Sequence, residues 1–157
     1  MFHHLSHEDA GAIIVLTRTG NRFQNADEVK HERARLRREL DSVGRAGKLL
    51  LIDSRAAPLS TDQQVGGAFG ELRREIQRGF ECIAVILETK VGVLQANRLA
   101  SNDLAAHGTG TSRIAVFETY EEALKFLRET RTGSRSSGAL VRASGSVWPR
   151  SSATRRH

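Results

Sequence analysis

Two short apolar runs set the terms for any fold of this chain. Leu49-Leu50-Leu51-Ile52 and Cys82-Ile83-Ala84-Val85-Ile86-Leu87 are continuous, without the alternation of a strand that faces water on one side. Runs of this kind belong to strands covered on both faces, as in parallel sheets flanked by helices. The segments between them carry a different period. Val29, Leu36, Leu40 and Val43 recur at helical spacing among charged residues, and Val65, Phe69, Leu72, Ile76 and Phe80 advance in steps of three and four. Those spacings place each set on one side of a helix.

The remaining elements follow from local signals. Asn25 with Glu28 starts the first helix, and Gly44 and Gly47 stop it. Ser60-Thr61-Asp62-Gln63 forms a capping box for the second, and Thr119 with Glu122 forms one for a last helix from Tyr120 to Arg128. Arg113 to Phe117 is the closing strand, and Val91 to Ala106 is helical by composition. At the amino end, Phe2 to Ser6 and Ala12 to Thr17 are extended, with His7 to Gly11 as the hairpin turn. The order is β-β-α-β-α-β-α-β-α. This predicts one α/β domain with a mostly parallel sheet and an antiparallel N-terminal hairpin.

Charge divides the chain in two. Residues 1–130 hold 18 Lys plus Arg and 18 Asp plus Glu, whereas residues 131–157 hold six Arg and no acid. The net +6 therefore resides in the tail, and the high pI is no argument for a basic nucleic-acid-binding fold. The expected organisation is a domain over 1–130 and a disordered Arg-rich tail over 131–157, too poor in apolar residues to offset the entropy of ordering. Such a tail can meet phosphates of nucleic acid or an anionic membrane, with Trp148 at the interface. An unstructured solubilising extension is the simpler reading. One cysteine, no secretory leader and no apolar run near the ~20 residues of a membrane span predict a soluble cytoplasmic protein.

Candidate chemistry is sparse. Asp53 stands at the carboxyl end of a buried strand, where open α/β sheets place their ligands, but a hydrogen bond into the loop that follows explains it as well. Ser60 and Thr61 suit an N-cap, and a phosphate there would face the positive end of a helix. Gly66, Gly67 and Gly70 match neither a P-loop nor a dinucleotide fingerprint. Glycine inside a helix costs about 1 kcal/mol relative to alanine, so close approach to the sheet or to another helix is expected there. His3 and His7 share a strand face without a complete ligand set, which points to solvated or edge-strand histidines. Cys82 opens a buried strand and reads as an inert core thiol. No nucleophile with a base stands out, so no enzyme activity, metal or cofactor is expected.

Two segments carry a family resemblance. Leu49-Leu50-Leu51-Ile52-Asp53 leads through a short loop to Ser60-Thr61-Asp62, and Arg113-Ile114-Ala115-Val116-Phe117-Glu118-Thr119-Tyr120-Glu121-Glu122-Ala123-Leu124 closes the domain. Together with the element order they resemble the bacterial STAS family, the fold of anti-sigma-factor antagonists, and its divergent SEC14-like branch. The family's Asp-Ser-Ser-Gly-Leu core is replaced here, and Gly66-Gly67 follow several residues later. The resemblance implies a signalling domain that binds a regulatory protein around Asp53, Asp62, Gly66, Gly67 and Gly70, with Ser60 or Thr61 as its phosphosite. An alternative within the same resemblance is a pocket for a small ligand or lipid. The blurred apolar pattern of Val91 to Ala106 suits such a pocket or a homodimer contact.

Overall fold

The computed structural model describes residues 1–58, 63–88 and 113–136. Strands β1 (His3–Glu8), β2 (Ile13–Arg18), β3 (Leu49–Asp53), β4 (Cys82–Ile86) and β5 (Arg113–Phe117) form one sheet in chain order. The β1–β2 pair is antiparallel and every other pair is parallel. The helices are α1 (Ala26–Val43), α2 (Gln63–Gln77) and α3 (Tyr120–Ser136). The helix expected over residues 91–106 lies outside the described residues, as does the tail beyond 136.

The two-residue period of β3 divides the core. Leu50 joins Ile14, Leu16 and Ile83 on the face covered by α1 and α2. Leu51 joins Ile13, Val15, Ala84 and Ile86 on the face covered by Ala123 and Leu127 of α3. Each crossover steps one strand in the same direction, and a right-handed crossover then puts both connecting helices on one face. α1 and α2 accordingly pack against each other. The helix starts are as the sequence indicates. Asn25 Oδ1 accepts from Glu28 N at 2.9 Å, and Thr119 Oγ1 accepts from Glu122 N at 3.3 Å.

Two boundaries differ from expectation. His7 and Glu8 extend β1, pairing with Ile14 and Ile13, so the turn shrinks to Asp9–Gly11. Its three residues take φ of 50°, 55° and 85°, a conformation costly for Asp9 and Ala10. Contacts from α3 hold it. Arg128 Nε and Nη2 donate to the Asp9 carboxylate at 3.0 and 2.7 Å, and Tyr120 Oη donates to Glu8 Oε1 at 3.2 Å. The second difference is at the last helix. α3 runs eight residues past Arg128, its expected end, and carries Arg131 to 3.7 Å from Asp9.

Adjacent residues of β3 occupy two separate cores, so truncating either should be equally damaging. Leu50→Ala and Leu51→Ala are each expected to destabilise by about 2–5 kcal/mol, measured by urea denaturation. A half-buried strand would show the loss at only one of the two.

Candidate functional site

The carboxyl ends of the parallel strands bring together Arg18, Asp53 and the loop leading toward α2. Asp53 is buried, and its carboxylate is taken by its own loop. Arg55 Nε donates to Oδ1 at 2.9 Å and Nη2 to Oδ2 at 2.6 Å, while Arg55 N donates to Oδ1 at 3.2 Å. The Arg55 guanidinium outweighs burial and holds the Asp53 carboxyl below the usual carboxylate range. A carboxylate gripped in this way shapes the strand-to-loop exit.

α2 buries Val65, Leu72 and Ile76 against α1 and the sheet. Gly67 and Gly70 point the other way, and a Cβ built on either meets nothing within 4 Å. Among the described residues no neighbouring element occupies the space that the missing side chains leave, so these glycines do not mark close approach to the sheet or to α1. Gly66 lies in the same turn of the helix. Phe69 stands between the two sides and is 42% exposed. Its ring meets Phe23 edge-on at 6.2 Å, and Phe23 stacks on Phe2 at 4.1 Å.

Beneath this aromatic corner lies a buried cation. Arg18 is only 4% exposed, and its guanidinium sits 5.5 Å from the Phe2 ring centre and 4.7 Å from that of Phe23. Nη1 donates to Phe2 O at 2.8 Å and Thr19 O at 3.1 Å, and Nη2 donates to Asn21 O at 2.7 Å. Among the described residues no carboxylate pairs with it. Glu32, the acid whose charge reaches Arg18, is already committed. It accepts from Arg35 Nη2 at 2.6 Å and from His3 Nδ1–H at 2.9 Å. Burial raises the Glu32 carboxyl, but the hydrogen bonds and charges of Arg35 and His3 prevail and lower it to about 2. For His3, burial outweighs the bond to Glu32 and lowers the imidazole below its ordinary value. The histidine is neutral at pH 7.

Arg18 also borders a cavity of about 180 Å³ between α2 and the sheet. Among the described residues Ile52, Val85, Ile114 and Val116 form its floor and Phe69, Leu72 and Ile76 its wall, while His3, Ser54, Arg73 and Gln77 add polar groups.

This architecture matches a solved structure. An uncharacterised protein of the DUF3478 family from Shewanella loihica PV-4, described as having a SpoIIAA-like fold, aligns over 80% of this chain and 91% of its own. The TM-score is 0.57 and the identity 16%. The fold is SpoIIAA-like. No protein-family model matches the chain, and no curated protein does. The STAS resemblance read from β3 and the closing strand and helix thus holds at the level of the fold.

Within the SpoIIAA-like domain, the residues singled out by sequence fall in three places. Asp53 sits at the strand end, Gly66, Gly67 and Gly70 lie on α2, and Ser60, Thr61 and Asp62 lie outside the described residues, just before α2 begins at Gln63. Among the described residues no group of His, Cys, Asp and Glu could hold a metal ion. His4 and His7 are exposed on edge strand β1, but His3 is buried because the Glu32 carboxylate receives it. Cys82 is buried, and burial raises its thiol. Sequence reasoning missed Arg18 and the phenylalanine corner. An arginine ending an apolar strand, with Phe2 beside its β1 partner His3 and Phe23 five residues further on, was the available signal.

Two outcomes follow from this geometry. Gly67→Ala and Gly70→Ala should each stabilise the domain by up to about 1 kcal/mol, seen as a higher melting temperature. Packed glycines would give the opposite sign. The second concerns acid. His3 is lowered from 6.5, so the unfolded chain takes up its proton first, and stability begins to fall as pH drops below that value. Glu32 is lowered from 4.5 to about 2, so its contribution is complete above pH 4.5 and is lost on acidification toward 2. Denaturant midpoints at several pH values should show both steps, and Glu32→Gln should diminish the lower one, leaving the share that Asp53 contributes.

Proposed function

We propose that this chain is a non-enzymatic interaction domain that docks a regulatory protein on the outer side of α2 and the loop leading into it. The observation that carries this reading is the bare backbone at Gly67 and Gly70. Helical glycine is unfavourable, and no contact among the described residues requires it here. A partner surface that approaches the helix closely would. Phe69, exposed beside the glycines, supplies an aromatic group of the kind that anchors interfaces. The SpoIIAA-like fold is compatible with such a role.

Ser60 and Thr61 precede Gln63, the first residue of α2, and extend the proposal to regulation. A phosphate added there would place charge at the positive end of the helix and at the edge of the docking side. It would alter partner affinity without remodelling the core.

A photo-crosslinker at position 67 of the full chain, expressed in its source cell, should give a discrete protein adduct. The same group at Lys125, on the exposed side of α3, should not. Bulky Gly67→Gln and Gly70→Gln should weaken binding of the captured protein at least about tenfold while the domain stays folded. Unchanged binding would remove α2 as the docking surface. Phosphopeptide mass spectrometry of the native protein, with Ser60→Asp in the same binding assay, tests the switch separately.

A further inference from the structure

β1 lies at one edge of the sheet. It pairs with β2 on one side, and among the described residues nothing pairs with the other. Two contacts fix which of its backbone groups face outward. Thr19 N donates to Phe2 O at 2.9 Å, so the backbone of Phe2 turns to β2, and at two-residue steps so does that of His4, Ser6 and Glu8. The carbonyl of His3 is left on the other side, where Arg35 Nη2 donates to it at 3.0 Å. The N–H and C=O groups of Leu5 and His7 point out in the same way, and among the described residues they have no partner.

Free strand edges are ordinarily blunted by proline, lysine, a bulge or a covering element. Arg35 closes the edge at His3, but from Leu5 onward β1 carries none of these devices. Its register with β2 is unbroken to Glu8, and His4, Ser6 and His7 are exposed.

The side chains decide what fits this edge. Antiparallel pairing of two copies about a two-fold axis at Ser6 sets Leu5 of one copy opposite His7 of the other, and their outward N–H and C=O groups bond to one another. The same register sets His4 opposite Glu8 of the second copy, an imidazole against a carboxylate, and symmetry repeats the pair. Tyr120 Oη donates to Glu8 Oε1, which leaves Oε2 for the imidazole. On the axis two small serines meet. An axis at Leu5 or at His7 loses the charge match, because His4 or Glu8 then faces Ser6.

We propose that the chain forms a symmetric dimer through β1, so that two five-stranded sheets run on as one. A second copy is the occupant because its β1 presents Glu8, Ser6 and His4 in the reverse order that the edge matches. The pairing consumes the β1 edge of both copies, so this contact closes at two chains. It uses neither α2 nor the loop before it and stands apart from the docking side proposed above.

Sedimentation velocity of the full chain at submillimolar concentration should show a dimer. His4→Glu puts like charges opposite each other at both symmetric positions and should weaken the dimer at least about tenfold, with the circular dichroism of the fold unchanged. Ser6→Cys reads the register. Directly opposed residues at a non-hydrogen-bonded position lie within disulfide reach, so mild oxidation should link two Ser6→Cys chains, and His4→Cys or His7→Cys chains far more slowly. The native Cys82 is buried and does not compete. A monomer at submillimolar concentration overturns the proposal. So does a dimer that His4→Glu leaves intact, or one in which Ser6→Cys links no faster than His4→Cys and His7→Cys.

Discussion

Everything in this domain depends on β3 being enclosed from both sides. Its backbone pairs with β2 and β4, and its successive leucines feed two cores that share no residue. Hydrophobic burial of about 25 cal/mol per Å² acts on both faces of the same strand. The helices are held to the sheet by that burial more than by surface ion pairs, which contribute little individually. Because the cores meet only through the sheet, a feature on the α1–α2 side can vary without disturbing the α3 side.

The docking side proposed for this domain lies on α2, on the α1–α2 side of the sheet. There α2 is asymmetric, with large apolar residues inward and bare glycines outward. The outward side is the one proposed to accept another protein closely. Phe69 lies between the two sides and is both exposed and part of the cavity wall. The polar network of His3, Glu32 and Arg35 joins β1 to α1 and commits Glu32, the acid whose charge reaches Arg18.

Much of the fold was legible in the sequence because its signals are local. The unbroken runs at Leu49 and Cys82 marked buried parallel strands, and the caps at Asn25 and Thr119 marked helix starts. The hairpin was misjudged because His7 and Glu8 look like turn residues in isolation. Their strand conformation depends on Tyr120 and Arg128, more than a hundred positions away. The end of α3 was missed for the same reason. The site was less legible still. Gly67 and Gly70 were visible as anomalies, but the direction they face depends on how α2 packs. Arg18 resembled an ordinary strand-ending arginine, since nothing local indicates that a side chain will be buried without a counter-ion.

The clasp between Asp9 and Arg128 has a consequence for how the protein is made. Its two halves are 119 residues apart, so in a chain emerging from the ribosome nothing holds the Asp9 turn in its unfavourable backbone state until α3 has been synthesised. Strands β1 to β4 can begin to associate earlier, but the hairpin end stays loose. Completion is therefore a late, long-range event, and topologies of this kind fold slowly compared with helical ones. Premature truncation anywhere before α3 would leave the face of Leu51, Ala84 and Ile86 uncovered, a surface that invites capture by chaperones or aggregation.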